Sequence, residues 1–147
     1  MITGEQIAEA ARKYIGSPIV EGGRSQDGLD CVGLMLCTAR DLGLSFPAEV
    51  TNYGMNIWLH PRTRDAREFL SHYMVQVDSP AVGDVILFSR TVIAITVGFI
   101  TGVDKEARVQ KVISGLHGPR TYFAEHDLQE TGCTLAGYRF RELTESN

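Results

Sequence analysis

The chain has 147 residues, a length that suits one domain with a real hydrophobic core, and we expect a single domain over 1–147. Hydrophobic residues make up 44% of the sequence, an ordinary share for a globular protein. The 14 basic and 18 acidic side chains give a net charge of -4. Because the basic residues are scattered and outnumbered, the composition argues against a nucleic-acid partner.

The N-terminus and the cysteines argue against several further classes of protein. The N-terminus carries neither a basic leader nor an apolar signal segment, so we expect synthesis in a cytoplasm without a secretory signal. No apolar run is long enough to span a bilayer. Cys31, Cys37 and Cys133 are too few for a disulfide framework, and neither they nor the histidines show the spacing of a zinc site. We therefore expect no metal and no cofactor.

The first predicted helix begins with a capping box, in which Thr3 is the N-cap and Gln6 reaches back to it. Apolar residues then recur at helical spacing: Ile7, Ala10, Ala11, Tyr14 and Ile15. Gly16, with Pro18 just beyond it, predicts the end of this helix. Residues 17–29 are predicted to form a glycine-rich loop.

Asp30 suits the N-cap position of a second helix, which is predicted from Cys31 to Leu42 and ends at Gly43. Cys31 would then lie in the first turn, where free N–H groups and the positive end of the helix dipole favour a thiolate. Because a structural cysteine rarely has both a glycine-rich approach and a helix start, Cys31 is a candidate nucleophile. Cys37 faces another side of the same helix and is predicted to be core.

The second half of the chain changes from helical to strand periodicity. Residues 44–61 are irregular and aromatic, a segment that could wall a groove or cover the edge of the core, and a third helix is predicted over 62–74. Strands follow at 85–88, 92–101, 107–113 and 135–140, with turns at 102–105 and 115–119 and a brief pairing at 121–123. Helices first and an antiparallel sheet afterwards predict an α+β domain.

Three blocks of the sequence resemble the NlpC family of cell-wall cysteine peptidases, in that family's order. Tyr14–Pro18, Gly22-Gly23 and Asp30–Leu34 are similar to the family's Gly-x-Pro-Tyr, Gly-Gly and Asp-Cys-Ser-Gly-Leu. Pro80–Phe88 resembles its Gly-Asp-Leu-Val-Phe-Phe strand, and Thr96–Gly102 its His-Val-Gly-Ile-Tyr-x-Gly strand. The resemblance implies a papain-like α+β fold, with the N-terminal helices packed on an antiparallel sheet.

The resemblance also implies a site in which most polar positions have changed. It places the nucleophile at Cys31 and the family's histidine at Thr96, whose hydroxyl is a very weak base. The orienting residue falls on Ser114, and the tyrosine after Gly-x-Pro falls on Ile19. This pattern suggests a kept fold and a lapsed reaction. His117, in the turn after the third strand, is the candidate substitute base.

No functional role is predicted for the remaining histidines. His60 and His72 precede the predicted sheet and His126 follows it, so all three are interpreted as surface or partly buried side chains.

By resemblance, the ancestral activity is hydrolysis of peptide bonds in peptidoglycan stem peptides. Relatives without a signal peptide occur in the tails of bacteriophages and prophages. The leading interpretation is therefore a structural tail-tip or baseplate component with a degenerate site, located in the virion tail beside other tail-tip or baseplate proteins. The first alternative is an active cysteine endopeptidase that acts on peptidoglycan during cell-wall penetration. The second is an acyl-transfer enzyme.

Overall fold

The computed structural model describes residues 2–44, 63–89, 95–104, 109–116, 122–128 and 133–145. Its helices are α1 (Gly4–Arg12), α2 (Cys31–Leu42), α3 (Thr63–Tyr73) and α4 (Arg141–Glu145). Its strands are β1 (Arg24–Ser25), β2 (Gly28–Leu29), β3 (Val75–Val77), β4 (Val85–Ser89), β5 (Ile95–Asp104), β6 (Val109–Leu116), β7 (Tyr122–Asp127) and β8 (Cys133–Arg139). The α+β class predicted from the sequence is confirmed.

The strands form two antiparallel sheets. Strands β1 and β2 make a short hairpin within the segment predicted as loop, and the other six form one sheet in the order β3-β8-β4-β5-β6-β7. The central strands β4 and β5 pair from Val85 opposite Phe99 to Ser89 opposite Ile95. None of the helices in the described ranges is long and apolar enough to cross a membrane.

The two N-terminal helices follow their capping signals. The Thr3 hydroxyl accepts from the Gln6 backbone N–H at 3.2 Å, and the Gln6 side chain accepts from the Thr3 N–H at 2.9 Å. Helix α1 ends at Arg12 rather than at Gly16, because the following residues form turns and the Gly16 N–H donates to the Phe123 carbonyl at 2.7 Å. Helix α2 has the predicted limits.

The sheet is more extensive than the sequence predicts. Strand β6 continues to Leu116, so the prediction of a turn from Gly115 is wrong. The physical reason is pairing with β7, which runs to Asp127 and places Ser114 opposite Ala124. Strand β3 and helix α4 were not predicted at all.

Helices α1 and α2 cover one face of the sheet. Apolar side chains of α2, such as Leu34 and Met35, pack there against Val97 and Phe99 in the main core. Cys37 is 1% exposed in that core, as predicted. A second, smaller cluster of buried residues consists of Ile86, Phe88, Ile100, Val112 and Leu128. Because side chains alternate along a strand, this second cluster lies on the opposite sheet face.

A buried ion pair joins the start of β4 to the end of β8. Arg139 donates from Nε and from a terminal nitrogen to the two oxygens of Asp84, both at 2.8 Å, and Asp84 is fully buried. The same carboxylate accepts from the Ala81 N–H at 2.8 Å. These hydrogen bonds satisfy the buried charge, as a carboxylate removed from water requires.

Candidate active site

The carboxylate of Asp30 ties the glycine-rich loop to the start of α2. It accepts from the Gly33 N–H at 2.7 Å as the N-cap, and from the Gly22 N–H at 2.8 Å. Arg24 donates to it at 3.1 Å, and only 3% of the Asp30 surface is exposed. A loop residue, a strand residue and a helix residue thus meet at one buried charge, which fixes how the chain enters Cys31.

Close packing and two further bonds hold the same loop. A Cβ at Gly33 would collide with the Gly23 carbonyl oxygen, so this turn of α2 requires glycine. The Arg24 guanidinium donates to the Gly23 carbonyl at 2.8 Å. The thiol of Cys37 donates to the Arg24 carbonyl at 3.1 Å, so this core cysteine links helix α2 to the loop.

Cys31 is the first residue of α2 and is half-buried. Its thiol lies within hydrogen-bonding reach of the Thr96 hydroxyl and of the backbone N–H groups of Val32 and Val97. Thr96 is the second residue of β5, so the start of helix α2 meets the sheet at the beginning of that strand. The structure therefore brings together the two residues that the resemblance implies as nucleophile and base positions.

The thiol is nevertheless held in its neutral form. Burial away from water, followed by the nearby negative charge of Asp30, raises the pKa of Cys31 to about 12. The hydrogen bonds from Thr96, Val32 and Val97 lower it, but they do not compensate for the loss of hydration. At neutral pH the sulfur is a protonated thiol, which is a poor nucleophile.

Ser114 lies on the same sheet face as Thr96, one strand further on. Gly98 follows Thr96 at strand spacing, and a Cβ on Gly98 would lie 3.0 Å from the Ser114 Cβ. Ser114 is fully buried, and its Oγ lies 2.6 Å from the Nε2 of His126. The orienting position is therefore engaged with an imidazole on β7.

His126 is a functional candidate that the sequence analysis missed. It was placed beyond the sheet, but it is a residue of β7 and lies opposite Val112 on the face that carries Ser114. Phe123 and Leu128 are buried, and the residues between them are intermediate or exposed. Because this pattern does not alternate regularly, the sequence alone does not fix the register of β7.

The other site predictions have mixed outcomes. Ile19 forms a parallel bridge with Leu29 and packs against the main core, so it contributes an apolar side chain to that core and no hydroxyl. His117 and His60 lie outside the described residues, as does the irregular segment after Leu44. The described ranges contain no cluster of three or more side chains that could hold a metal ion.

Comparison with solved structures identifies the architecture. The NlpC2 and NlpC1 structures from Trichomonas vaginalis superpose with TM-scores of 0.62 and 0.63 at 17% and 18% identity. The NlpC/p60 domain of the peptidoglycan hydrolase SagA superposes with a TM-score of 0.57 at 19% identity. The fold is the papain-like fold of NlpC/p60 domains.

The extent of the likeness differs between these structures. The NlpC/p60 fold accounts for 93% of this chain in the Trichomonas comparisons and 95% in the SagA comparison. The chain spans the whole of the SagA domain, but only 46% and 44% of the two Trichomonas proteins. No family model matches the sequence, and no curated protein matches it. The likeness to these structures is therefore one of fold, at low sequence identity.

Proposed function

We propose that this chain is a structural component of a bacteriophage or prophage tail tip or baseplate, built on an NlpC/p60 fold whose thiol chemistry has lapsed. Its partners are then other tail-tip or baseplate proteins, and its place is the virion tail. The tail assignment is supported by the sequence resemblance described above, and the loss of chemistry by the site.

One observation supports the loss of chemistry most directly. The Thr96 hydroxyl is a hydrogen-bonding neighbour of the Cys31 thiol, and burial raises the pKa of that thiol to about 12. A cysteine nucleophile needs either a lowered pKa or an adjacent base, and a base needs a group that orients it. Threonine supplies neither a base nor a positive charge. Cys31 therefore keeps its proton at neutral pH and does not attack a peptide carbonyl.

A second candidate function is favoured by the donors around the sulfur. The N–H groups of Val32 and Val97 and the Thr96 hydroxyl all stabilise negative charge at Cys31. With a base supplied from elsewhere, such a site would suit an endopeptidase that cleaves peptidoglycan stem peptides. The named activity of the SagA protein, a peptidoglycan hydrolase, is the model for this alternative.

The Cys31→Ser variant separates the two candidates. We expect the encoding phage or prophage to assemble particles that contain the variant chain and infect at the wild-type titre, because the substitution removes only the thiol. Mass spectrometry of purified particles measures incorporation, and plaque counts measure infectivity. Intact particles that no longer infect, or muropeptide cleavage by the wild-type protein that disappears in Cys31→Ser, would contradict a lapsed site and favour the endopeptidase.

A further inference from the structure

The hydroxyl of Ser114 is directed away from Cys31. Strand β6 lies between β5, which carries Thr96, and β7, which carries His126. Ser114 Oγ contacts the His126 imidazole at 2.6 Å, so the hydroxyl points across the sheet toward β7. A hydroxyl can make more than one hydrogen bond, but the serine stem is short, so the rotamer that turns the oxygen toward β7 turns it away from a group on β5.

Burial makes this contact persistent. Ser114 is fully buried, so its hydroxyl cannot exchange His126 for water. Leaving a buried hydroxyl without a partner is costly, and this cost holds the side chain in its present rotamer. The backbone contributes as well, because Ser114 and Ala124 are paired directly and fix the position of His126 two residues further along β7.

We infer that His126 is a positioning residue that keeps this site inactive independently of Thr96. This inference rests on the proposed function and adds a second cause to it. The first cause is the absence of a base beside Cys31. The second is that the hydroxyl that could orient a base at position 96 is held by His126.

The inference predicts how the site responds when an imidazole is supplied beside Cys31. In Thr96→His alone, the new imidazole can contact the thiol but lacks an orienting partner, so the thiolate gains little. In Thr96→His/His126→Leu, Ser114 is released and can bond to the new imidazole. The thiolate then forms at lower pH, because a correctly oriented imidazole accepts the proton and its positive charge stabilises the anion.

The measurement is the rate of iodoacetamide alkylation at Cys31 against pH, resolved from Cys37 and Cys133 by peptide mass spectrometry. We expect the double variant to react about tenfold faster at pH 7 than Thr96→His, a change equivalent to about one pKa unit of the thiol. Thr96→His/Ser114→Ala is the matched control and should react no faster than Thr96→His. Equal rates in Thr96→His and the double variant, with both folded by circular dichroism, would overturn the inference.

A second measurement keeps the inference testable if the Thr96 variants do not fold. In the wild-type background, histidine ¹⁵N spectra report the tautomer and titration of His126. We expect Ser114→Ala to change both, and an unchanged titration would overturn the inference. The Cys31→Ser infection result is independent of these readouts, so failure of the proposed function is distinguishable from failure of this inference.

Discussion

The candidate site has a loop side, around Asp30, and a sheet side, formed by Thr96 and Ser114, and the two differ in how closely they match the resembled family. On the loop side, Asp30 is buried and accepts from Gly22, Arg24 and Gly33, and Gly33 packs too tightly against the loop to carry a side chain. On the sheet side, the corresponding polar positions hold Thr96 and Ser114. On the loop side, the glycines and the Asp30-Cys31 pair match the resembled family and Ile19 stands in place of its tyrosine. On the sheet side, Thr96 stands in place of the family's histidine and Ser114 at its orienting position.

This contrast indicates that residues needed for packing and residues needed for a reaction are constrained separately in this fold. A buried carboxylate with three donors cannot lose one partner without a large loss of stability. A side chain at a strand end, by contrast, can change from a base to a hydroxyl while the backbone stays in register. Substitutions in the framework and substitutions in the site can therefore be expected to have separate effects on stability and on thiol reactivity.

The largest expected effect is on the framework, at Asp84. Asp84→Ala should destabilise the protein by about 3–5 kcal/mol, because it leaves the partly buried Arg139 guanidinium without its carboxylate and the Ala81 N–H without an acceptor. Urea unfolding measures the loss. Asp78→Ala is the control, since Asp78 is exposed, and it should change stability by less than about 0.5 kcal/mol. Similar losses of unfolding free energy in both variants would show that the Asp84–Arg139 ion pair does not stabilise the framework.

A smaller loss of stability is expected at the hydrogen bond between Tyr14, just after α1, and Asp41 of α2. The Tyr14 hydroxyl donates to Asp41 at 2.5 Å, and Tyr14 is buried. Partial burial raises the pKa of the Asp41 carboxyl, but the Tyr14 bond and the charges of Lys13 and Arg40 outweigh it, so the pKa is lowered overall. Tyr14→Phe should therefore cost about 1–2 kcal/mol at pH 7.

The pH dependence of that cost follows from the direction of the shift. A carboxyl whose pKa is lowered on folding contributes stability above its unfolded value of about 3.9, and this contribution is lost as the pH falls through the folded value. The difference between wild type and Tyr14→Phe should therefore be constant near neutral pH and shrink in acid. Tyr122→Phe, at an exposed tyrosine, is the control. A difference that grows in acid would contradict this role of Asp41.

Local signals predicted the starts of α1 and α2 and the end of α2, but not the end of α1, helix α4 or the full extent of the sheet. The N-cap Asp30 and the stop at Gly43 fixed the limits of α2, because capping depends on neighbouring residues only. The end of β6 was wrong because Ser114-Gly115 has the composition of a turn. Its strand geometry comes from pairing with β7, the next strand along the chain, where Gly115 lies opposite Phe123.

The candidate site divides in the same way. Cys31 could be singled out from its helix start, and the resemblance located Thr96 and Ser114 through the apolar strands that carry them. The role of His126 could not be predicted, since it depends on the register between β6 and β7 and on the rotamer of Ser114. Strand register depends on the pattern of both paired strands, so the sequence around His126 alone does not specify it.

The alkylation rate of Cys31 against pH in the wild-type protein distinguishes a protonated thiol without a base from an activated thiolate. Because burial raises the pKa of Cys31 to about 12, the rate should rise about tenfold per pH unit through pH 10 without a plateau. A rate that levels off below pH 8 would reveal a thiolate stabilised by a base, and would contradict the account of a lapsed site.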